Sequence, residues 1–220
     1  MHHFILKLNS STSYDFIHVG KCGGSSLGAI LSKNNINFKS IHAPKLKPQY
    51  HPNKIYIVAY RDPIKRLFSI LNWRYHVLLN KKIPSIANSP KHLLNSLELK
   101  FLDSLESGDQ LCSWLKANPD RVHRMLGTLG HYNKGLHWYL SDIISKSQTS
   151  QFKAIVQTET FDEDMQRFFQ VNTKNMRKKK SNYPKKFYIP TDSESISILK
   201  DLLTSEYKIF EALTTFKRKI

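Results

Sequence analysis

Apolar positions along this chain follow two rhythms. Tyr14 to Val19 reads as a short strand. Lys54 to Tyr60 (Lys-Ile-Tyr-Ile-Val-Ala-Tyr) is a near-continuous apolar run, as expected of a strand buried on both faces of a parallel sheet. Phe152 to Gln157 predicts a third strand, and residues 37–42 alternate like a short fourth. Elsewhere the spacing is helical. Residues 24–33 predict a helix, and a second follows Asp62-Pro63, with Ile64, Leu67, Phe68, Leu71, Tyr75 and Leu78 at intervals of three and four. Aspartate as N-cap and proline in the first helical position make a strong start signal for it. Residues 80–92, with Pro84 and Pro90, read as a loop, and Leu93, Leu94, Leu97, Phe101 and Leu105 predict the next helix. Residues 109–130 predict short helical pieces broken at Pro119, Gly127 and Gly130. Helices are expected over His131 to Ile144 and over Asp162 to Phe169. Residues 173–190 read as an irregular basic loop. Thr191-Asp192-Ser193-Glu194 reads as a capping box that opens a closing helix over 192–214, striped by Ile196, Leu199, Leu203, Phe210 and Leu213. Strands alternating with helices predict an α/β fold: one domain over 1–220, built as a three-layer sandwich with a central, mostly parallel sheet flanked by helices.

Composition narrows this picture. With 220 residues and 40% apolar content the chain can bury one sizeable core. No apolar run approaches the roughly 20 residues of a membrane span, and the N-terminus lacks the features of a signal peptide. The expectation is a cytoplasmic chain with no transmembrane segment. Two cysteines, Cys22 and Cys112, provide neither a disulfide framework nor metal-site spacing. The formal net charge of +17 calls for an anionic partner: a nucleotide, a polyanionic glycan, nucleic acid or a membrane surface.

Candidate chemistry gathers at two strand–helix junctions. The first runs Phe16-Ile17-His18-Val19-Gly20-Lys21-Cys22-Gly23-Gly24-Ser25-Ser26-Leu27. A strand that breaks into two glycines and restarts as a helix exposes backbone N–H groups at the positive end of the helix dipole. Lys21 adds a full charge, and Ser25 and Ser26 add hydroxyl donors. Cys22, beside Lys21, is a candidate reactive thiol. Lysine precedes the glycines, the reverse of the order Gly-x-x-x-x-Gly-Lys-Ser/Thr, which disfavours an ATP- or GTP-binding loop. The second junction is Tyr60-Arg61-Asp62-Pro63-Ile64-Lys65-Arg66-Leu67-Phe68-Ser69. Arg61 sits where a buried strand ends, and Ser69 lies about two helical turns further on, so both can face one anion. The plain alternative makes Asp62 a helix cap and Arg66 a solvated surface charge. It suits Asp62, but it does not account for an arginine at a strand end with a serine on the same face.

Together these segments resemble the sulfotransferases that use 3′-phosphoadenosine 5′-phosphosulfate (PAPS), in the carbohydrate, membrane-type branch that includes heparan-sulfate enzymes. Residues 16–27 are similar to that family's 5′-phosphosulfate loop, hydrophobic-Pro-Lys-Thr-Gly-Gly-Thr-Ser. Arg61-Asp62-Pro63 through Arg66 to Ser69 is similar to its 3′-phosphate motif, Arg-Asp-Pro-x-x-Arg-x-x-Ser. A weaker likeness covers Gly130-His131-Tyr132 through Trp138-Tyr139-Leu140, Ile155 to Phe169 with Glu159, and the closing helix with Tyr207 and Phe210. Gly20 stands where proline is usual, and Cys22 where threonine is usual.

The resemblance implies a P-loop-like sandwich and an enzyme that transfers a sulfuryl group from PAPS to a hydroxyl, expected on a glycan, with no metal. It places Lys21 at the 5′-phosphate and bridging oxygen, Cys22, Gly23, Gly24, Ser25 and Ser26 around that phosphate, and Arg61 and Ser69 on the 3′-phosphate. His42, which ends the second strand, is the candidate base. His18 reads as structural, and His76 and His131 fall outside the site. His131 and His137 do not make a metal site without a third ligand. Trp73 and Trp138 read as core. Lys174, Arg177, Lys178, Lys179, Lys180, Lys185 and Lys186 form either a solvated loop or a flap over an anion, with Tyr183 and Phe187 interleaved. Loops 43–53, 80–92 and 109–130 are the expected acceptor selectors. Two other classes stay open: a basic module for nucleic acid or polyanions, though without zinc-finger spacing or an RNA-binding consensus, and a P-loop kinase or NTPase.

Overall fold

Four strands form an all-parallel sheet in the order β2-β1-β3-β4: β1 Tyr14–His18, β2 Phe38–Ile41, β3 Tyr56–Tyr60 and β4 Phe152–Gln157. The computed structural model describes residues 12–79, 96–173 and 184–220. The loop expected over 80–92, the helix start at Leu93 and Leu94, and residues 174–183 of the basic run lie outside the described residues. Every residue of β3 is buried, which accounts for its unbroken apolar run.

Helices cover both faces of the sheet. They are α1 Gly24–Lys33, α2 Pro63–Leu78, α3 Ser96–Ser104, α4 Gly108–Ala117, α5 Pro119–Gly127, α6 Leu136–Lys146, α7 Phe161–Phe169, α8 Ser193–Leu202 and α9 Thr204–Lys219. Alternate residues of β3 go to opposite faces. Tyr56, Val58 and Tyr60 pack with Leu136, Leu140 and Ile143 of α6 and Leu213 of α9, whereas Ile57 and Ala59 pack with Leu27 and Leu31 of α1 and Met165 of α7. The result is the expected three-layer α/β sandwich. A third cluster joins Leu67 and Leu71 of α2 to Phe101, Leu111, Leu126 and Leu199 of the neighbouring helices. Among the described residues no helix is long and apolar enough to cross a membrane.

Three expected boundaries move. The helix expected from His131 begins at Leu136, because His131 adopts a left-handed backbone (φ 74°). Its true start is capped from a distance: the Glu206 carboxylate of α9 accepts from the N–H groups of Leu136 (2.7 Å) and His137 (3.0 Å). The N-cap of α8 is Asp192, which accepts from the Ser195 N–H at 2.8 Å, so the cap falls one residue later than a box headed by Thr191. The closing helix is two helices, α8 and α9, divided at Leu203.

Candidate active site

The C-terminal ends of β1, β2 and β3 share one rim of the sheet, where parallel α/β folds place ligands. β1 runs out at His18, and the chain turns sharply. Lys21 (φ 68°) and Gly23 (φ 75°) both take left-handed conformations, a costly one for a lysine. The Cys22 N–H bonds back to the Val19 carbonyl at 3.3 Å, and the Gly23 carbonyl accepts from Ser26 and Leu27, each at 3.1 Å. Gly23 thereby caps α1, and the N–H groups of Gly24 and Ser25 have no acceptor within the helix. No acidic side chain occupies the first turn of α1 to offset the dipole. Gly24 must lack a side chain, since a Cβ there would lie 1.9 Å from the His18 ring.

Lys21 crosses to the face of Trp73, with Nζ 4.8 Å from the ring centroid. Among the described residues no carboxylate pairs with it. Burial, reinforced by the nearby Arg61 cation and opposed by Cys22, pulls its pKa down to about 8. Arg61, just past β3, points Nη1 at the Lys21 carbonyl, 3.5 Å away. Its Nε stands 3.6 Å from Glu159 Oε1 but is buried without a hydrogen-bond partner. The Arg61 Nε–H, buried beside Lys21 without a hydrogen-bond partner, is a donor that costs stability until an acceptor meets it.

Arg61 also lines a cleft of about 370 Å³ together with Lys65, Ser69 and Lys185, with Phe68 and the exposed Tyr188 on its walls. Arg61 and Ser69 thus share one cavity, as their spacing predicts. Asn72 of α2, itself buried, pins the far wall. Its Oδ1 accepts from the N–H groups of Lys186 (2.8 Å) and Phe187 (3.0 Å), and its Nδ2 donates to the Phe187 carbonyl at 2.8 Å.

For Arg66 the plain alternative of a surface charge fails. Only 3% exposed, it is an internal strut rather than a solvated charge. Its Nε–H donates to the Gly20 carbonyl at 3.1 Å and its Nη2 to the carbonyls of Lys134 (3.0 Å) and His131, with Glu206 at 3.7 Å. Cys22 is also internal: 1% exposed, with burial pushing its thiol up to about 12. It can offer the loop its backbone but not a reactive thiolate.

His42 is exposed at the end of β2. Its Nδ1 lies 2.9 Å from the His18 carbonyl. A carbonyl only accepts, so Nδ1 carries a proton, and in the neutral ring the lone pair is then on Nε2. The ring stacks on His18 (4.1 Å). His18 is held near pKa 4 by burial and then by the charge of His42, and it fills the space over Gly24, which is a structural role. His42 also borders a second groove, of about 280 Å³, with Ile41, Pro44, Leu46 and Ile143. His76 is buried, bonding the Pro184 carbonyl at 2.6 Å.

Two residues set aside on sequence grounds enter the site. Trp73, read as core, carries Lys21. His131, read as an outsider, lies 5.1 Å from Trp73 and 6.0 Å from His42, ring to ring. For Trp73 a signal existed: it lies one turn beyond Ser69 and two beyond Arg66 on α2, the face that meets the loop. For His131 none did, because its left-handed turn is set by contacts distant in sequence. Among the described residues no group of three or more His, Cys, Asp or Glu side chains is placed to hold a metal ion. No family model, curated protein or solved structure matches this chain.

Proposed function

We propose that this protein is a sulfotransferase that moves a sulfuryl group from PAPS to a hydroxyl of an acceptor, with a carbohydrate as the class its motifs resemble. One observation carries the reading: Arg61 reaches the Lys21 backbone and lines the Ser69 cleft, so the two motifs meet in one cationic rim. A ligand with separate 5′- and 3′-phosphates calls for such a pair of linked anion sites. In this reading Lys21, with the free N–H groups at Gly24 and Ser25 and the hydroxyls of Ser25 and Ser26, holds the 5′ end. Arg61 and Ser69 hold the 3′-phosphate, and Phe68 and Tyr188 offer apolar surface to the base.

The chemistry is in-line displacement. His42 Nε2 takes the acceptor proton as the acceptor oxygen bonds to sulfur. The bond from sulfur to the bridging oxygen breaks, and its electron pair leaves with 3′-phosphoadenosine 5′-phosphate. Lys21 meets the charge that develops on that oxygen. The groove at His42 shares no lining residue with the Arg61 cleft, so donor and acceptor have separate seats.

Calorimetry at low salt tests this directly. The wild type binds 3′-phosphoadenosine 5′-phosphate saturably, Lys21→Ala loses most of that affinity, and radiolabelled sulfate passes from PAPS to a glycan acceptor. Absence of nucleotide binding by the wild type overturns the reading. The net charge of +17 favours a second reading, a polyanion-binding module. It predicts tight, steeply salt-dependent binding of duplex nucleic acid that Arg61→Ala leaves unchanged.

A further inference from the structure

The ring of His131 occupies space that exists only because residue 20 has no side chain: a Cβ on Gly20 would lie 2.5 Å from His131 Nδ1. The backbone of His131 is left-handed, which a non-glycine residue adopts only when its surroundings enforce it. Arg66 enforces it, bonding the carbonyls of both Gly20 and His131 and so tying the anion loop to the 131 turn with one guanidinium. On its other side the ring meets Trp73, the residue over which Lys21 Nζ lies. Among the described residues nothing hydrogen-bonds the ring nitrogens of His131. Burial, with the positive fields of Lys21, His42, Arg66 and Arg74, holds the ring near pKa 4, so it is uncharged at neutral pH. The chain thus accepts backbone strain and forgoes a side chain to set an uncharged imidazole against Trp73, the ring that carries the half-buried Lys21.

We propose that His131 is a positioning residue for Lys21: with Trp73 it walls the ammonium in, restricts where it can go and keeps solvent from it. Its consequence for catalysis rests on the sulfotransferase reading, but the placement does not. Lys21 has Arg61 from the end of β3 and Cys22 of its own loop as charged or titratable neighbours and lies over the Trp73 ring, on which His131 packs; the field of Lys21 reaches His131.

The test is the titration of Lys21 in the full-length protein. It is obtained from the pH dependence of its acetylation rate, peptide by peptide, by mass spectrometry, with exposed Lys65 as internal control. His131→Asn and His131→Gly both tolerate a left-handed backbone and so retain the fold. We expect wild-type Lys21 to titrate well below Lys65, and both His131 variants to move it up toward the ordinary lysine value as water enters. Gly20→Ala, by expelling the ring, should do the same, and should add nothing in a Gly20→Ala/His131→Gly double variant. Three outcomes overturn the proposal: a wild-type Lys21 that titrates like Lys65, a titration unmoved in both His131 variants, or a Gly20→Ala shift that persists undiminished beside His131→Gly. Nucleotide binding on the same samples is read separately. Its failure strikes the sulfotransferase reading and leaves the Lys21 measurement intact.

Discussion

Arg66 donates through Nε–H to the carbonyl of Gly20, 3.1 Å away, and that single bond separates two arginines which the sequence sets five residues apart in one motif. Arg61 keeps a hydrogen-bonding position unspent and faces a cleft, whereas Arg66 spends its guanidinium on the protein. Arg66→Ala leaves the carbonyls of Gly20, His131 and Lys134 without this donor and removes the cation that stands 3.7 Å from the Glu206 carboxylate. It should cost about 3–5 kcal/mol and lower Tm by on the order of 10 °C. Arg66→Lys should recover little, lacking the planar fork. Arg61→Ala should leave Tm nearly unchanged while weakening 3′-phosphoadenosine 5′-phosphate at least tenfold. Thermal melts and calorimetry on the same variants check both halves.

Anion binding should draw in a proton. Lys21, held near pKa 8 without an anion, becomes a better base when a phosphate neutralises its surroundings. At pH 8 the nucleotide should therefore bind with fractional proton uptake, measurable as a difference in heat between two buffers of unlike ionisation enthalpy. Lys21→Arg, charged throughout, should abolish that uptake. Equal uptake in the variant would assign the proton to another group.

Stability should fall in mild acid. His18 and His131 have folded pKa values near 4, below the ordinary 6.5, so the unfolded chain binds more protons between those limits. Their contribution is intact above about pH 6.5 and is lost progressively as pH drops toward 4. The slope is at most about 1.4 kcal/mol per pH unit for each histidine. Urea melts across this range should show it, and His131→Asn should remove its share of the slope. A slope identical to wild type would mean that His131 titrates normally.

Asn72→Ala should open the far wall of the cleft. The substitution strands the N–H groups of Lys186 and Phe187 and the Phe187 carbonyl, at a cost of about 2–3 kcal/mol. Hydrogen exchange should accelerate at residues 184–189 before it changes in the sheet, and nucleotide affinity should drop with it. Protection that stays at the wild-type level there would show that the segment is held by its apolar contacts alone.

Much of this molecule is legible in short stretches of chain. The β3 run, the Asp62-Pro63 helix start and the Gly-Gly break after β1 each depend on neighbours within a few residues, and they place the sheet, α1 and α2 correctly. Local spacing also brings Arg61 and Ser69 to one cleft, because a helix carries its own geometry. The start of α6 depends on a remote partner: it falls where Glu206, seventy residues later, caps it, whereas the α8 cap at Asp192 is local.

The amino-acid sequence by itself determined the α/β class, the strand–helix junctions and the two cationic segments, because periodicity, caps and glycines act at short range. Only the tertiary structure decided which cation is free to meet a ligand and which is consumed inside. It set Lys21 against Trp73, turned Arg66 inward, closed Cys22 into the core and brought His131 onto Gly20. The physical reason is common to all four. Burial, charge and hydrogen-bond satisfaction are properties of what surrounds a side chain, and here those surroundings come from segments forty to nearly two hundred residues away.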